Sequence, residues 1–487
     1  MKTEVCLNEP VCMKRNGYMT VYLALAAGIM LSLFVAVIEG ARHSTIRMHI
    51  ECCADMALDS ALAQYHREML KQYDLFFVDT SYGTQDPSYH RTEEQILGYM
   101  EKNLKPEEEF SIPYARDITG LTVDSVELLS AGVATDEEGA VLKYHAVQYM
   151  KDISGISIAE SILGKGQQTQ AWQGQDMESQ WDAAEESMKE EIFRKKKLQD
   201  EEWDETIPET PSDAVRSTRG EGILGVAAQG MQLSNASLAG YARPFQRSLN
   251  RGTGLMEPKK EAEGLVEDGL FYAYILDKCG YWGAEKENSA LAYEVEYILQ
   301  QDTQDRENLK KTAQELLLIR EAANAAFLFG SSLRSQAAEV AGVIAALLLL
   351  PEVAELIETV ILFAWAYAES VKDIRILFRG DSVPLMKTED TWNTPFSQLL
   401  TYRSHLDSYQ SAQSGWSYRD YLGALLFLHG SGNAVTGLAD VMESDIRRTP
   451  GNEMFRIDGL IDGMEAEICV SSRYGGSYSI RRVYEYE

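Results

Sequence analysis

The strongest pattern for chemistry in this chain is Leu75-Phe76-Phe77-Val78-Asp79-Thr80-Ser81-Tyr82-Gly83. An apolar strand closing in D-x-S-x-S would offer Asp79 and Ser81 to a metal ion in an adhesion-type site. Here the fifth position is Gly83, which has no hydroxyl, and the alternating strands and helices that carry such a site do not follow. The segment reads as a helix exit with a turn. The seven histidines are scattered, with no H-x-x-x-H or H-E-x-x-H spacing to place two ligands on one helical face. Neither a G-x-S-x-G elbow nor a G-x-x-x-x-G-K-[ST] phosphate loop occurs. Asn235-Ala236-Ser237 matches the glycosylation triplet, a short pattern that chance often produces. Carboxylates are too abundant for any pair to stand out as general acid and base. No cofactor or metal is expected.

A second group of polar residues points to structure. Glu294 and Glu296, Arg320 and Glu321 with Asn324, and Glu369 with Asp373 all fall inside strongly apolar helical segments. An unpaired buried charge is costly, so these groups must meet partners. They are expected to form a buried ion-pair network that fixes helix register. The cysteines set no framework: Cys6 and Cys12 lie near the start, Cys52 and Cys53 are adjacent, and no C-x-x-C is present. Cys279 and Cys469 would pair only if the fold brought them together; otherwise all are free thiols.

The elements that position these residues begin with an anchor. Lys14-Arg15-Asn16-Gly17 precedes an uncharged apolar run from Tyr18 to Ile38, about 21 residues or roughly 31 Å of helix, enough to cross the hydrocarbon core of a bilayer. A signal peptide would have a shorter core ending at a small-residue site, and the only such pattern, Ala24-Leu25-Ala26, lies within the run. Lys14 and Arg15 favour a cytoplasmic N-terminus, with Arg42 and Arg47 opposing. Met13 offers an alternative start. Beyond Gly40, apolar residues at Ile46, Ile50, Cys53, Ala54, Ala57, Leu58, Ala61, Leu62 and Tyr65 keep helical spacing, predicting one unbroken helix to about Tyr73. Its small residues Ala54, Ala57 and Ala61 would admit another helix closely.

Leu121–Leu128 reads as a strand. Met454–Val470, interrupted by Gly459 and Gly463, reads as a hairpin, and Tyr478–Tyr486 as a further strand. Helices lie between. Ala341–Leu350 is too short to span a membrane and is closed by Pro351, Glu352, Glu355 and Glu358, so it reads as a buried core helix. The expected organisation is a cytoplasmic segment 1–17, a transmembrane helix 18–38, and a membrane-proximal amphipathic helix 39–75. An α+β segment 76–174, a charged flexible insertion 175–218, a helical domain 219–400 and a helix with C-terminal strands 401–487 follow. The fold class is α+β, predominantly α-helical, with a small antiparallel sheet.

At 487 residues and 45% hydrophobic content, the chain can bury two or three domains' worth of core. Its formal net charge of −30 argues against nucleic-acid binding and disfavours docking on anionic lipid.

Three stretches carry a resemblance: Ala54-Asp55-Met56-Ala57-Leu58-Asp59-Ser60-Ala61-Leu62-Ala63-Gln64-Tyr65 with Tyr73-Asp74-Leu75-Phe76; Tyr293–Leu299 with Asn308-Leu309 and Leu318–Asn324; and Ala364–Asp373 with Val383-Pro384-Leu385-Met386-Lys387. Together they resemble an uncharacterised single-pass family of Gram-positive bacteria, of unknown function, associated with tight-adherence (Tad, Flp-type) pilus systems. The anchor separately resembles Tad pseudopilins, with a basic residue and a glycine before an apolar helix. It departs from them at Tyr22, where a glutamate is expected five residues after the cleavage-site Gly17. The resemblance implies a membrane-anchored, non-catalytic component of envelope assembly, whose partners are membrane lipid and other pilus-assembly proteins or pseudopilins reached through the N-terminal helix. The bulk of the chain would lie outside the cell. The Gly17–Tyr18 bond is expected to stay uncut, since a new ammonium at Tyr18 would find no charge at Tyr22 to balance it. The competing expectation is an adhesin or sensor ectodomain that binds an extracellular ligand.

Overall fold

The structure, a computed structural model, describes residues 18–84, 86–104, 120–153, 155–198, 210–238, 240, 264–412, 414–473 and 475–486. Its elements in chain order are α1 (Tyr18–Leu62), α2 (Arg67–Tyr73), β1 (Val78–Asp79), α3 (Tyr89–Leu104), β2 (Leu121–Val133), α4 (Ala140–Asp152), α5 (Ile156–Gln170), α6 (Met177–Leu198), α7 (Pro211–Arg219), α8 (Ile223–Ala227), α9 (Leu265–Lys278), α10 (Glu294–Gln300), α11 (Asp305–Gly330), α12 (Arg334–Leu347), α13 (Ala354–Phe378), α14 (Tyr418–His429), α15 (Ser431–Arg447), β3 (Leu460–Ser472) and β4 (Ser477–Glu485). The fold is predominantly helical with a four-stranded antiparallel sheet, in which β3 pairs with each of the other strands. The chain forms two compact units and crosses between them after α1, within α3, β2 and β3, and at the end of β4.

The first unit comprises the described parts of Met1–Ala63, Thr92–Leu129 and Glu465–Tyr484. Every large apolar residue of α1 from Tyr18 to Ile38 is exposed, whereas the later stripe, Ile46, Ile50, Cys53, Ala54, Ala57, Leu58, Ala61 and Leu62, is buried. One helix therefore changes solvent part-way along its length. The small-residue stripe is covered by the unit itself and is not open to another helix. Thr92, Ile96, Met100 and Leu104 of α3 repeat every four residues and face inward, and β3 alternates buried Ala466, Ile468 and Val470 with half-exposed neighbours. The hairpin turns at Arg473–Gly476 and not at Gly459 and Gly463, as the sequence suggests. Gly463 sits inside β3, while Gly475 and Gly476 take φ values of 91° and 111°, which favour glycine. Strand β4 is tied to α1 by three rungs. Tyr478 Oη lies 2.6 Å from His43 Nδ1, Arg482 pairs with Asp55 (3.2 Å) and Glu51 (3.5 Å), and Tyr484 bonds to Asp55. Deleting residues 475–487 removes these rungs and exposes the α1 stripe. The melting temperature of the first unit should fall by about 10 °C or more, and an unchanged melt would show that β4 is a dispensable tail.

The second unit comprises Gln64–Arg91, Ser130–Met464 and Glu485–Glu487. The predicted helix to Tyr73 breaks after Leu62. Tyr65 bridges Val78, and the His66 amide donates to the Phe77 carbonyl (2.8 Å), so strand pairing overrides local helix propensity. His66 then caps α2, its Nδ1 accepting from the Met69 amide (3.2 Å) while Nε2 faces Asn452 Oδ1 (3.1 Å). Its sheet portion runs β1 against β3 through Val78↔Ile461 and Asp79↔Leu460. Residues 460–464 of β3 are buried on both faces.

Helix α13 is the axis of this unit, packed by α6, α7, α11 and α12. Every residue from Ala364 to Phe378 is buried. The charged stretch expected to be a flexible insertion instead supplies two of the covering helices. In α6, Trp181, Met188 and Ile192 lie on the buried face, and the Arg216 and Arg219 guanidinium groups sit over the Trp181 ring at 5.0 and 5.4 Å. The sparse apolar stripe suffices because α13 supplies most of the apolar surface that it covers. Residues 199–209 lie outside the described residues. Helix α12 is only half a core helix: Ala341, Ile344 and Ala345 are buried, but Val343 and Leu347 are 58% and 72% exposed. Among the described residues only α1 is by itself long and apolar enough to cross a membrane; α11 and α12 would reach that length together but are bent by 79°.

Candidate functional site

A helix buried all round cannot send its charged side chains to water, so Glu369, Lys372, Asp373 and Arg375 of α13 must be satisfied internally. Arg320 of α11 meets Asp373 with two nitrogens, Nε at 3.0 Å and Nη2 at 2.9 Å from Oδ2. Its Nη1 donates to the carbonyls of Pro384 (2.9 Å) and Leu385 (2.7 Å) and to the Tyr421 hydroxyl of α14 (3.2 Å). Asn324, one turn on, accepts from Arg320 Nη2 (3.0 Å) and donates to Ser370 Oγ and Asp373 Oδ2, both at 2.9 Å. Lys387 inserts its ammonium between Glu369 and Asp373, with 2.6 Å to Asp373 Oδ1. Burial alone would raise the Asp373 carboxyl, but Lys387 and Arg320 outweigh it and hold it below the ordinary carboxylate value. The Asn393 amide donates to Glu369 Oε1 (3.0 Å), and Lys372 donates to the Asn393 carbonyl (2.7 Å), with burial pulling the Lys372 ammonium below its usual value.

Four of the seven residues expected to form one network thus come together: Arg320, Asn324, Glu369 and Asp373. Lys387, Lys372, Ser370 and Tyr421 complete it. The donors point inward and are used, so the cluster clamps α11, α13, α14 and the segment 383–393 to one another. This arrangement locks the register of these elements, and within it Glu369 Oε2 is a buried oxygen without a hydrogen-bond partner among the described residues.

The other three acids stand apart from it. Glu294, at the start of α10, accepts from the Gly280 amide and hydrogen-bonds to Asp445 of α15. Asp445 also accepts from the Ala290 amide (2.7 Å) and the Tyr73 hydroxyl (2.8 Å). Burial and then the neighbouring Asp445 push Glu294 well above the ordinary carboxylate range. Glu296 accepts from the Trp282 amide (3.0 Å) and the Tyr418 hydroxyl (2.9 Å), and burial pushes it up to about 7. Glu321 faces Arg219 at 3.7 Å and is also pushed by burial up to about 7.

Asp79 ends β1, and its Oδ1 accepts from the Ser81 amide (2.8 Å), the arrangement of a turn. Among the described residues, no group of three or more histidine, cysteine, aspartate or glutamate side chains is placed to hold a metal. Cys279 and Cys469 are free thiols. Tyr18 opens α1 and Tyr22 follows one turn later, both exposed, while Gly17 lies outside the described residues. A polar cavity of about 500 Å³ opens between Glu221–Gly225 and the start of α11. Its lining mixes Arg306 and Lys310 with Glu221 and Glu307. Glu221 is paired with Arg403, and Lys310 with Glu307.

A family model described as a family of unknown function (DUF5702) matches residues 201–472, more than half of the chain. The match contains the whole clamp, from Arg320 to Tyr421. No curated protein and no solved structure matches the chain.

Proposed function

We propose that this chain, which belongs to the DUF5702 family of unknown function, is a non-catalytic, membrane-anchored structural component of an envelope assembly apparatus of the Tad or Flp pilus type. The observation that carries this reading is α1: a single helix whose apolar half is bare and whose polar half is built into a folded unit. Such a helix transmits the position of a membrane anchor rigidly to the domain that it carries. The bare half presents Ala24 and Gly28 four residues apart, with no atom near Gly28, a small-x-x-x-small surface suited to another transmembrane helix. Lys14 and Arg15 favour a cytoplasmic N-terminus, with the bulk of the chain outside.

The test is purification of the tagged, full-length protein from its native membrane in mild detergent. Other single-pass envelope proteins should co-purify with the wild type and fall severalfold with Gly28→Leu, and the N-terminus should retain Gly17. Equal recovery from wild type and variant would remove the helix-association reading. An N-terminus at Tyr18 would make the chain a processed, pilin-like subunit.

A further inference from the structure

The three rungs between β4 and α1 fix a level along the membrane anchor. Tyr478 sits beside His43, Arg482 beside Glu51 and Asp55, and Tyr484 beside Asp55. Strand and helix therefore run in the same direction. Four strand residues from Tyr478 to Arg482 cover about 13 Å, and eight helical residues from His43 to Glu51 cover about 12 Å, so the two scales agree. Moving back from Tyr478 through Ser477 and into the turn carries the chain roughly 5 Å further, to the level of about residue 40 of α1. That is just past the end of the apolar run, at Ile38-Glu39.

The turn at this level is exposed at Arg473, Gly475, Gly476 and Ser477. It is closed by the Ser472 amide to the Gly476 carbonyl (3.0 Å) and the Gly475 amide to the Ser472 carbonyl (2.9 Å), and it is joined to β2 by the Arg473 amide to the Gly120 carbonyl (2.8 Å). On α1 itself, Arg42 and His43 both face Glu39, at 3.4 and 3.6 Å. Among the described residues the Arg473 guanidinium is a cation without a carboxylate partner at the level of the lipid phosphates.

We propose that the β3–β4 turn, with Arg473 where the chain leaves β3, is seated in the headgroup layer and binds the phosphate groups of anionic phospholipids. The first unit is then held on the bilayer at two places, α1 and this turn. The inference rests on the reading that α1 crosses a membrane. The large negative charge of the chain does not oppose it, because exposed charges beyond a Debye length of about 8 Å are screened at physiological salt, and the local cation decides. The planar, multi-donor guanidinium suits phosphate better than an ammonium does.

The full-length protein, reconstituted in vesicles of equal parts phosphatidylglycerol and phosphatidylcholine, tests this with the photo-crosslinker p-benzoylphenylalanine at Leu31, Ser477 or Met56. Lipid adducts read by mass spectrometry should form at Leu31 and Ser477 and not at Met56. Adducts at Ser477 should favour phosphatidylglycerol about fivefold and lose that preference in Arg473→Glu. Adducts at Leu31 without any at Ser477 would overturn the seating while leaving the membrane span intact. Failure at Leu31 would remove the span as well. Adducts at Met56 would mean that α1 lies along the surface, which overturns both, and preference unchanged by Arg473→Glu would remove the arginine's role.

Discussion

Arg320→Met should destabilise the helical unit by about 3–5 kcal/mol, the usual consequence of breaking a buried pair by removing one partner. The variant strips Asp373 of its bidentate neighbour and leaves the Pro384 and Leu385 carbonyls and the Tyr421 hydroxyl without their donor. Arg320→Lys should lose most of the same amount, since an ammonium cannot reach a carboxylate, two carbonyls and an amide oxygen from one position. The segment 383–393 is held to α11 and α13 mainly through Arg320, Lys387, Lys372 and Glu369, so limited proteolysis should cut there first. The double variant Arg320→Met, Asp373→Leu should recover part of the loss, because removing both charges leaves less unpaired polarity than removing one. A urea midpoint for Arg320→Met matching the wild type would show that the clamp is not structural.

The second large effect is on pH. Stability of the helical unit should fall as pH rises from about 5 to about 8. Glu294, Glu296 and Glu321 ionise near 4.5 in the unfolded chain, but burial raises all three in the folded one, to about 7 for Glu296 and Glu321 and well above the ordinary range for Glu294 beside Asp445. The folded state therefore binds more protons across this window. The stability they support is complete below 4.5 and is lost as pH passes each raised value. His66, lowered by burial, works in the opposite sense below 6.5, but it is one group against three. Asp373, held low by Lys387 and Arg320 against its burial, loses its contribution only in acid below 3.8, outside the window. At about 1.4 kcal/mol per unit, Glu296 alone accounts for roughly 3 kcal/mol. Glu296→Gln retains a carbonyl oxygen for the Trp282 amide and the Tyr418 hydroxyl and carries no charge. It should flatten the slope by about that amount. Urea midpoints at the two pH values decide it: a wild type as stable at the higher pH, or a slope that the glutamine leaves intact, would contradict the assignment.

What the sequence made legible follows from how local each signal is. The stripe from Ile46 to Leu62 could be read in full because helical periodicity is local. The end of α1 could not, because Tyr65 and His66 break the helix by pairing with Val78 and Phe77, a contact across the chain. The acids and Arg320 stood out as charges in apolar segments, whereas Lys387 lies in a stretch without periodicity. Counting charges does not call for it either, because α13 carries Lys372 and Arg375 as well as Glu369 and Asp373; only the folded position of the segment 383–393 brings Lys387 to the two acids. Glu294, Glu296 and Glu321 looked equivalent to the clamp residues, yet they are accommodated by proton uptake and by main-chain amides, which no side-chain pattern records. Gly463 passed for a turn because a glycine inside a strand and a glycine in a hairpin look alike until the pairing partner is known.

The first unit takes its pieces from both ends of the chain, and this sets an order of events during synthesis. The stripe Ile46–Leu62 leaves the ribosome well before Glu465–Tyr484, which complete its cover. At about 5–20 residues per second, more than 400 intervening residues take roughly 20–80 s to appear. For that interval the apolar stripe of α1 lacks part of its native cover, while the helical unit in between can close. Completion of the first unit thus waits for Glu465–Tyr484, and a chain lacking that segment would be largely folded and still recognisable to quality-control proteases by the uncovered stripe of α1.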